Sequence, residues 1–145
     1  MTINNQLSTI SVFCDGGARG NPGPAAWGFV IKIDGEKIHE NGGYIGIATN
    51  NIAEYTAVVI ALTYLEEHFR GSELRIYVDS QLVASQLTGI FKVKNTYIRE
   101  MVLKVRNLEN SFGNIIYTHI PREQNKEADL QVNIALDNQQ LTINN

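Results

Sequence analysis

FCDGGARGNPGPAAWGF, residues 13–29, ends an apolar run on an acid and follows it at once with a turn rich in glycine and proline. The stretch holds five of the chain's twelve glycines and two of its three prolines. An ionised carboxylate taken out of water is costly unless something answers it, so Asp15 calls for a cation, a donor network or a chemical task. Just upstream, TISVFCD (9–15) alternates. Ile10, Val12 and Cys14 fall on one face and Ser11, Phe13 and Asp15 on the other, which is the period of a strand.

Downstream, WGFVIKI (27–33) and KIHENGGYIG (37–46) flank Asp34-Gly35, a strong signal for a two-residue hairpin. In NNIAEYTAVVIALTYLEEHF (50–69), Ile52, Tyr55, Val59, Leu62 and Leu65 recur at helical spacing, and Gly71 closes the helix. LRIYVD (74–79) reads as a fourth strand, SQLVASQL (80–87) as a short helix and Tyr97 to Leu108 as a longer one. NIIYTHI (114–120) reads as a fifth strand and EQNKEADLQVNIALDN (123–138) as the last helix. The polar QQLTINN (139–145) is expected to fray. Strands first joined by hairpins and then alternating with helices imply a mixed five-stranded sheet. If the fourth strand lies parallel to the first, Asp15 and Asp79 approach each other. One domain is expected over 1–145, with its core at about 8–136 and a flexible tail at 137–145.

Composition is ordinary for a globular chain: 145 residues, 43% hydrophobic and 19% charged. The longest apolar stretch is too short to span a membrane, and MTINNQLSTI (1–10) lacks the charged and apolar regions of a signal peptide. The lone Cys14 excludes an intrachain disulfide and fits a reducing cytoplasm, where we expect the protein to work without a membrane. Net charge is −3, yet Lys92, Lys94, Arg99, Lys104, Arg106, Arg122 and Lys126 make the C-terminal third locally basic. Taken alone, that pattern is better read as a solvated helix face.

Each acid also has a structural explanation. Asp79 can cap the short helix or leave that to Ser80. Glu54 stands three residues after Asn51, the spacing of a variant capping box. Asp129 can be a surface helix residue. Together, several carboxylate oxygens suit a hard cation such as magnesium, and two such ions can hold the attacking water and leaving oxygen in phosphodiester cleavage. Rival chemistries lack support. No Lys-Ser or Lys-Thr pair follows the glycines, His39, His68 and His119 lack zinc-ligand spacing, and Cys14 reads as core packing.

Four blocks, DGGARGNPGPAAWGF, TNNIAEYTAVVIAL, VDSQLVASQLTG and PREQNKEAD, resemble in order the signature segments of the ribonuclease H family, type 1. They are most similar to its compact archaeal and bacterial branch, over about Ile10 to Leu136. The resemblance implies a ribonuclease H-like α/β fold with sheet order 3-2-1-4-5 and hydrolysis of the RNA strand of RNA–DNA hybrids to 5′-phosphate and 3′-hydroxyl ends. It places Asp15, Glu54, Asp79 and Asp129 on the four metal-binding carboxylates, for two Mg2+ ions with Mn2+ as a substitute. It makes Asp15 a bridging ligand, with glycines that let backbone approach nucleic acid. Asn21, Thr49, Asn50, Asn51 and Gln81 match polar positions used for groove and phosphate contacts. Asn125 matches a position near the scissile phosphate, although it can equally orient the last helix. Phe91 stands where this branch often has tryptophan and keeps a smaller aromatic for stacking on a sugar.

Other departures bear on turnover. Only GIFKVKN (89–95) stands where larger members carry a lysine-rich helical insertion, and Thr96 stands where proline is common. Leu130 and Gln131 replace the usual Arg-Leu pair, which puts polarity where the helix normally packs. Arg122 stands nearest the mobile histidine of many relatives, with His119 as a rival. Arginine binds phosphate but cannot shuttle a proton at neutral pH. The expected protein is a monomeric, metal-dependent endonuclease with no obligate protein partner. From another class, the alternative is a catalytically weak nucleic-acid-binding module of the same fold.

Overall fold

The alternation in residues 9–15 becomes strand β1 (Thr9–Ala18), with Ile10, Val12 and Cys14 buried and Ser11, Phe13 and Asp15 only partly covered. A computed structural model describes residues 9–89 and 92–144. Strands β2 (Gly23–Ile33) and β3 (Glu36–Ala48) meet at Asp34 and Gly35, whose φ angles of 52° and 81° give the left-handed two-residue turn expected there. Helix α1 (Asn50–His68) then crosses the sheet to β4 (Glu73–Val78), which runs parallel to β1 with Cys14 opposite Val78. Asp15 and Asp79 are each the next residue after that pair.

Helices α2 (Gln81–Leu87) and α3 (Thr96–Glu109) lead to β5 (Ile115–His119), parallel to β4. A 3-10 turn (Arg122–Gln124) precedes α4 (Lys126–Asn144). The sheet order is β3-β2-β1-β4-β5, the ribonuclease H-like arrangement. Among the described residues, no helix is long and apolar enough to cross a membrane.

Helices cover both faces of the sheet. On one, α1 buries Tyr55, Val58, Leu62 and Leu65 against Ile10, Val12, Phe29 and Ile76. On the other, Val132 and Leu136 of α4 pack on Ala26. Val59 and Ile52, expected in the helix stripe, are only partly buried, because Ala53, Ala57 and Ala61 take the closest contact with the sheet. The small residues bring α1 near.

Helix α4 continues through Asn144, so the stretch expected as a tail, 137–145, is helical over 137–144. No glycine or proline interrupts residues 126–145, and Gln139, Gln140 and Leu141 are good helix formers. Polarity there marks a solvated helix. At the replaced pair the apolar side chain is the exposed one: Leu130 is 56% exposed, while the Gln131 main chain and stem face Gly42 and Gly28, so polarity falls where the helix packs.

Candidate active site

Two glycines explain how four acids come together. A Cβ on Gly16 would overlap the carbonyl of Ala53 in α1, and one on Gly28 would lie 2.6 Å from the carbonyl oxygen of Ala128 in α4. Hydrogen in place of a side chain lets each helix sit directly on the sheet. The next residues along those helices are Glu54 and Asp129. At these two glycines the close approach is made by the protein's own helices. Asp15, Glu54, Asp79 and Asp129 line one cleft of about 420 Å³, together with Arg122, Arg19 and Asn50.

The structural explanations of the acids fall away. Thr49, not Asn51, caps α1: its Oγ1 accepts from the Ile52 N–H at 3.2 Å, so Glu54 lies beyond any capping box. Ser80 caps α2, its Oγ accepting from the Val83 N–H at 3.2 Å, and Asp79 is released from that task. Burial, and then the charges of Asp79 and Asp129, push the Asp15 carboxyl up to about 8. Asp15 and Asp129 stand within hydrogen-bonding reach of each other. Burial and Asp79 likewise push Glu54 up to about 8, while a hydrogen bond from Ser80 and the charge of Arg122 pull it back.

This donor set fits a hard divalent cation. It is all oxygen, and burial and crowding leave Asp15 and Glu54 holding protons that a cation would displace. Among the described residues, no three His, Cys, Asp or Glu side chains form a ready-made ligating group, so ligation would require the carboxylates to draw inward.

The remaining candidates divide. Arg122 reaches the acidic cleft. His119 does not line it and is solvent-exposed at the end of edge strand β5. Asn50 accepts from the Ala18 N–H at 2.8 Å and donates its own N–H to Asn21 Oδ1 at 3.0 Å. Asn21, Thr49 and Asn51 line a neighbouring cleft of about 380 Å³ with Gln86, Asn95 and Tyr97. Gln81 begins α2, exposed and outside both clefts. Phe91 lies outside the described residues.

Asn125 is buried, at 1% exposure, and not open to a substrate. Its Nδ2 donates to the Cys14 carbonyl at 2.9 Å and to Asp79 Oδ2 at 3.0 Å, fastening the start of α4 to β1 and to an acid of the cleft. Its Oδ1 has no hydrogen-bond partner among the described residues. Asn125→Asp sets an acceptor against both oxygens and is expected to destabilise the metal-free fold by about 3 kcal/mol, read by urea denaturation at pH 8. Unchanged stability would remove the fastening role.

Sequence reading missed Arg19 and Asn133. Asn133 stands four residues after Asp129, a spacing that puts the two on one helix face and was the available signal.

The comparisons with known proteins agree with this geometry. A family model described as reverse transcriptase-like matches residues 13–135. Ribonuclease HI of Halobacterium salinarum is 41% identical over 129 residues, covering 88% of this chain but 64% of that longer protein. Ribonuclease H of Campylobacter curvus is 31% identical over 137 residues, covering 85% and 89% of the two chains. The crystal structure of LC11-RNase H1 in complex with an RNA/DNA hybrid superposes with a TM-score of 0.86 at 40% identity, covering 89% of this chain and 97% of that one. With the strand order, the acidic cleft and the similarity of nearly the whole length in agreement, the chain belongs to the ribonuclease H1-like family, close to the compact enzymes of archaea and bacteria.

Proposed function

We propose that the protein is an endonuclease that cuts the RNA strand of RNA–DNA hybrids, leaving 5′-phosphate and 3′-hydroxyl ends. The observation that carries this reading is the convergence of Asp15, Glu54, Asp79 and Asp129, from β1, α1, the residue after β4 and α4, on one cleft. These acids would hold two Mg2+ ions, or Mn2+ in their place. When bound, such ions supply an activated water and stabilise charge on the departing 3′ oxygen. Similarity to an enzyme crystallised with an RNA/DNA hybrid supports the choice of substrate.

The chain's own residues set the frame for that chemistry. Asp15 and Asp79 each follow the last residue pair of the β1–β4 ladder, Cys14 and Val78, so the sheet fixes their separation. Asn125 orients Asp79 through a hydrogen bond. In the neighbouring cleft, Asn21 and Thr49 use one oxygen each on the backbone of α1, which leaves the Asn21 Nδ2 and the Thr49 hydroxyl hydrogen for a ribose or phosphate. A hybrid is distinguished by the 2′-hydroxyls of one strand and the deoxyribose shape of the other.

Incubation of the purified chain with a hybrid labelled on its RNA strand, with and without Mg2+, tests the reading. Cleavage is expected only with the metal, and 2′-O-methyl groups across the cut site should block it. Binding without cleavage, or equal cutting of all-DNA duplex, would refute it.

Arg122 has a separate expectation. Its guanidinium faces the cleft as a fixed positive charge suited to a phosphate. Arg122→Ala should lower kcat about tenfold, the size of one charge-assisted hydrogen bond, with a smaller change in KM. His119→Ala should stay near wild type and keep every limb of the pH–rate profile. Reversal of the two results would reassign the roles.

A further inference from the structure

We propose that Asn133, itself held by Arg19 and Asp137, positions the carboxylate of Asp129 for metal binding; the inference rests on the metal-dependent reading above. One helical turn past Asp129, the Asn133 Nδ2 donates to the Asp129 carbonyl at 3.1 Å and to its Oδ2 at 3.3 Å. Asn133 Oδ1 accepts from an Arg19 terminal nitrogen at 3.4 Å. That same nitrogen pairs with Asp137 Oδ1 at 2.7 Å, one turn further along α4. Arg19 belongs to the turn between β1 and β2, where its own N–H donates to the Pro24 carbonyl at 2.8 Å. A continuous set of contacts therefore runs from the turn beside Asp15 to the carboxylate of Asp129.

Stability does not account for these contacts. The Arg19 and Asp137 side chains are 45% and 65% exposed, and ion pairs in water contribute little. Asparagine is also a weak helix former, since its side chain competes for backbone partners. Orientation is what the set supplies. A guanidinium has only donors and a carboxylate has only acceptors, so with Arg19 on one side and Asp129 on the other the amide has one satisfactory orientation. Arg19 thereby keeps Nδ2 turned to Asp129.

The chemistry of the donor matters as much as its place. A lysine or arginine touching Asp129 would neutralise it and compete with a cation. The amide holds one oxygen without cancelling the charge, and Asp137 balances the charge of Arg19. Outer partners of ligating carboxylates commonly alter metal affinity or activity about 10–100-fold.

The test is titration of the metal-free protein with Mn2+ by calorimetry, beside the Mg2+ dependence of hybrid cleavage. Asn133→Ala should keep the wild-type melting temperature, weaken Mn2+ binding about tenfold and raise the Mg2+ concentration for half-maximal cleavage by a similar factor, with the KM for hybrid unchanged. Asn133→Asp, of the same shape but without donors, should lose more. Arg19→Met should weaken binding less, and Asn133→Ala/Arg19→Met should equal Asn133→Ala alone, since the two act through one contact. Wild-type Mn2+ binding by Asn133→Ala, or independent effects of the two substitutions, overturns the positioning role. If Asp129→Asn loses Mn2+ binding while Asn133→Ala keeps it, the metal reading stands and the role of Asn133 falls. If both keep it, the metal reading falls too.

Discussion

Asp15→Asn is expected to fold, to lose hybrid cleavage by roughly 10³-fold, and to be more stable than the wild type without metal. Loss of an anionic ligand forfeits several kcal/mol of charge stabilisation, at a tenfold change in rate for each 1.4 kcal/mol. The gain in stability follows from the raised Asp15 carboxyl. In the folded protein it keeps its proton up to about 8, against an ordinary value of 3.8. Between those values the folded state binds more protons than the unfolded chain, so stability falls as pH rises and is lowest above 8. An amide carries no such charge. In EDTA at pH 8 the variant should gain about 2 kcal/mol, roughly 5–10 °C in Tm, and the gain should shrink towards pH 4. Near-normal cleavage by Asp15→Asn would end the assignment of the site. A stability gain independent of pH would show that charge is not its cause.

Gly16→Ala should damage both fold and chemistry, although it adds one methyl group. Its Cβ would overlap the main chain of Ala53, and neither partner has a flexible end to move aside. Overpacking of this kind costs about 3 kcal/mol, and the displaced α1 carries Glu54 with it. A shift near 1 Å at a reacting centre can cost about 10²-fold in rate. Gly17→Ala is the control for stability, because its Cβ would meet only Asn50 Oδ1 at 3.9 Å and Val132 Cγ1 at 4.0 Å. Equal melting temperatures for the two variants would show that the close approach at Gly16 is not needed.

Local rules made much of the fold legible. Alternation placed Ile10, Val12 and Cys14 inside, and Asp34-Gly35 marked its turn, because both depend on neighbours in the chain. The ordered resemblance located the four acids. Packing between distant residues was harder to read. Nothing near Asn125 in sequence says that its amide reaches Cys14 and Asp79, 111 and 46 residues away. Asn51 looked like the helix cap, but the chain enters α1 two residues earlier, at Thr49. Gly16 read as part of a turn and Gly28 as an ordinary strand residue because their partners, Ala53 and Ala128, declare themselves only once the helices have docked.

Contact between main chains at those two places separates what this scaffold can vary from what it must keep. The inner face of α1 can exchange Val58 or Leu62 for other apolar residues and trade stability up or down, since side chains there share volume with many neighbours. The seats of the two helices offer no such exchange. Their heights above the sheet are set by peptide groups, which every sequence possesses in the same size. The spacing of Glu54 and Asp129 from Asp15 is thus inherited unchanged while the core drifts, provided that Gly16 and Gly28 persist. A redesign for heat resistance can therefore range over most of the interior and leave the chemistry in register, with those two glycines as fixed points.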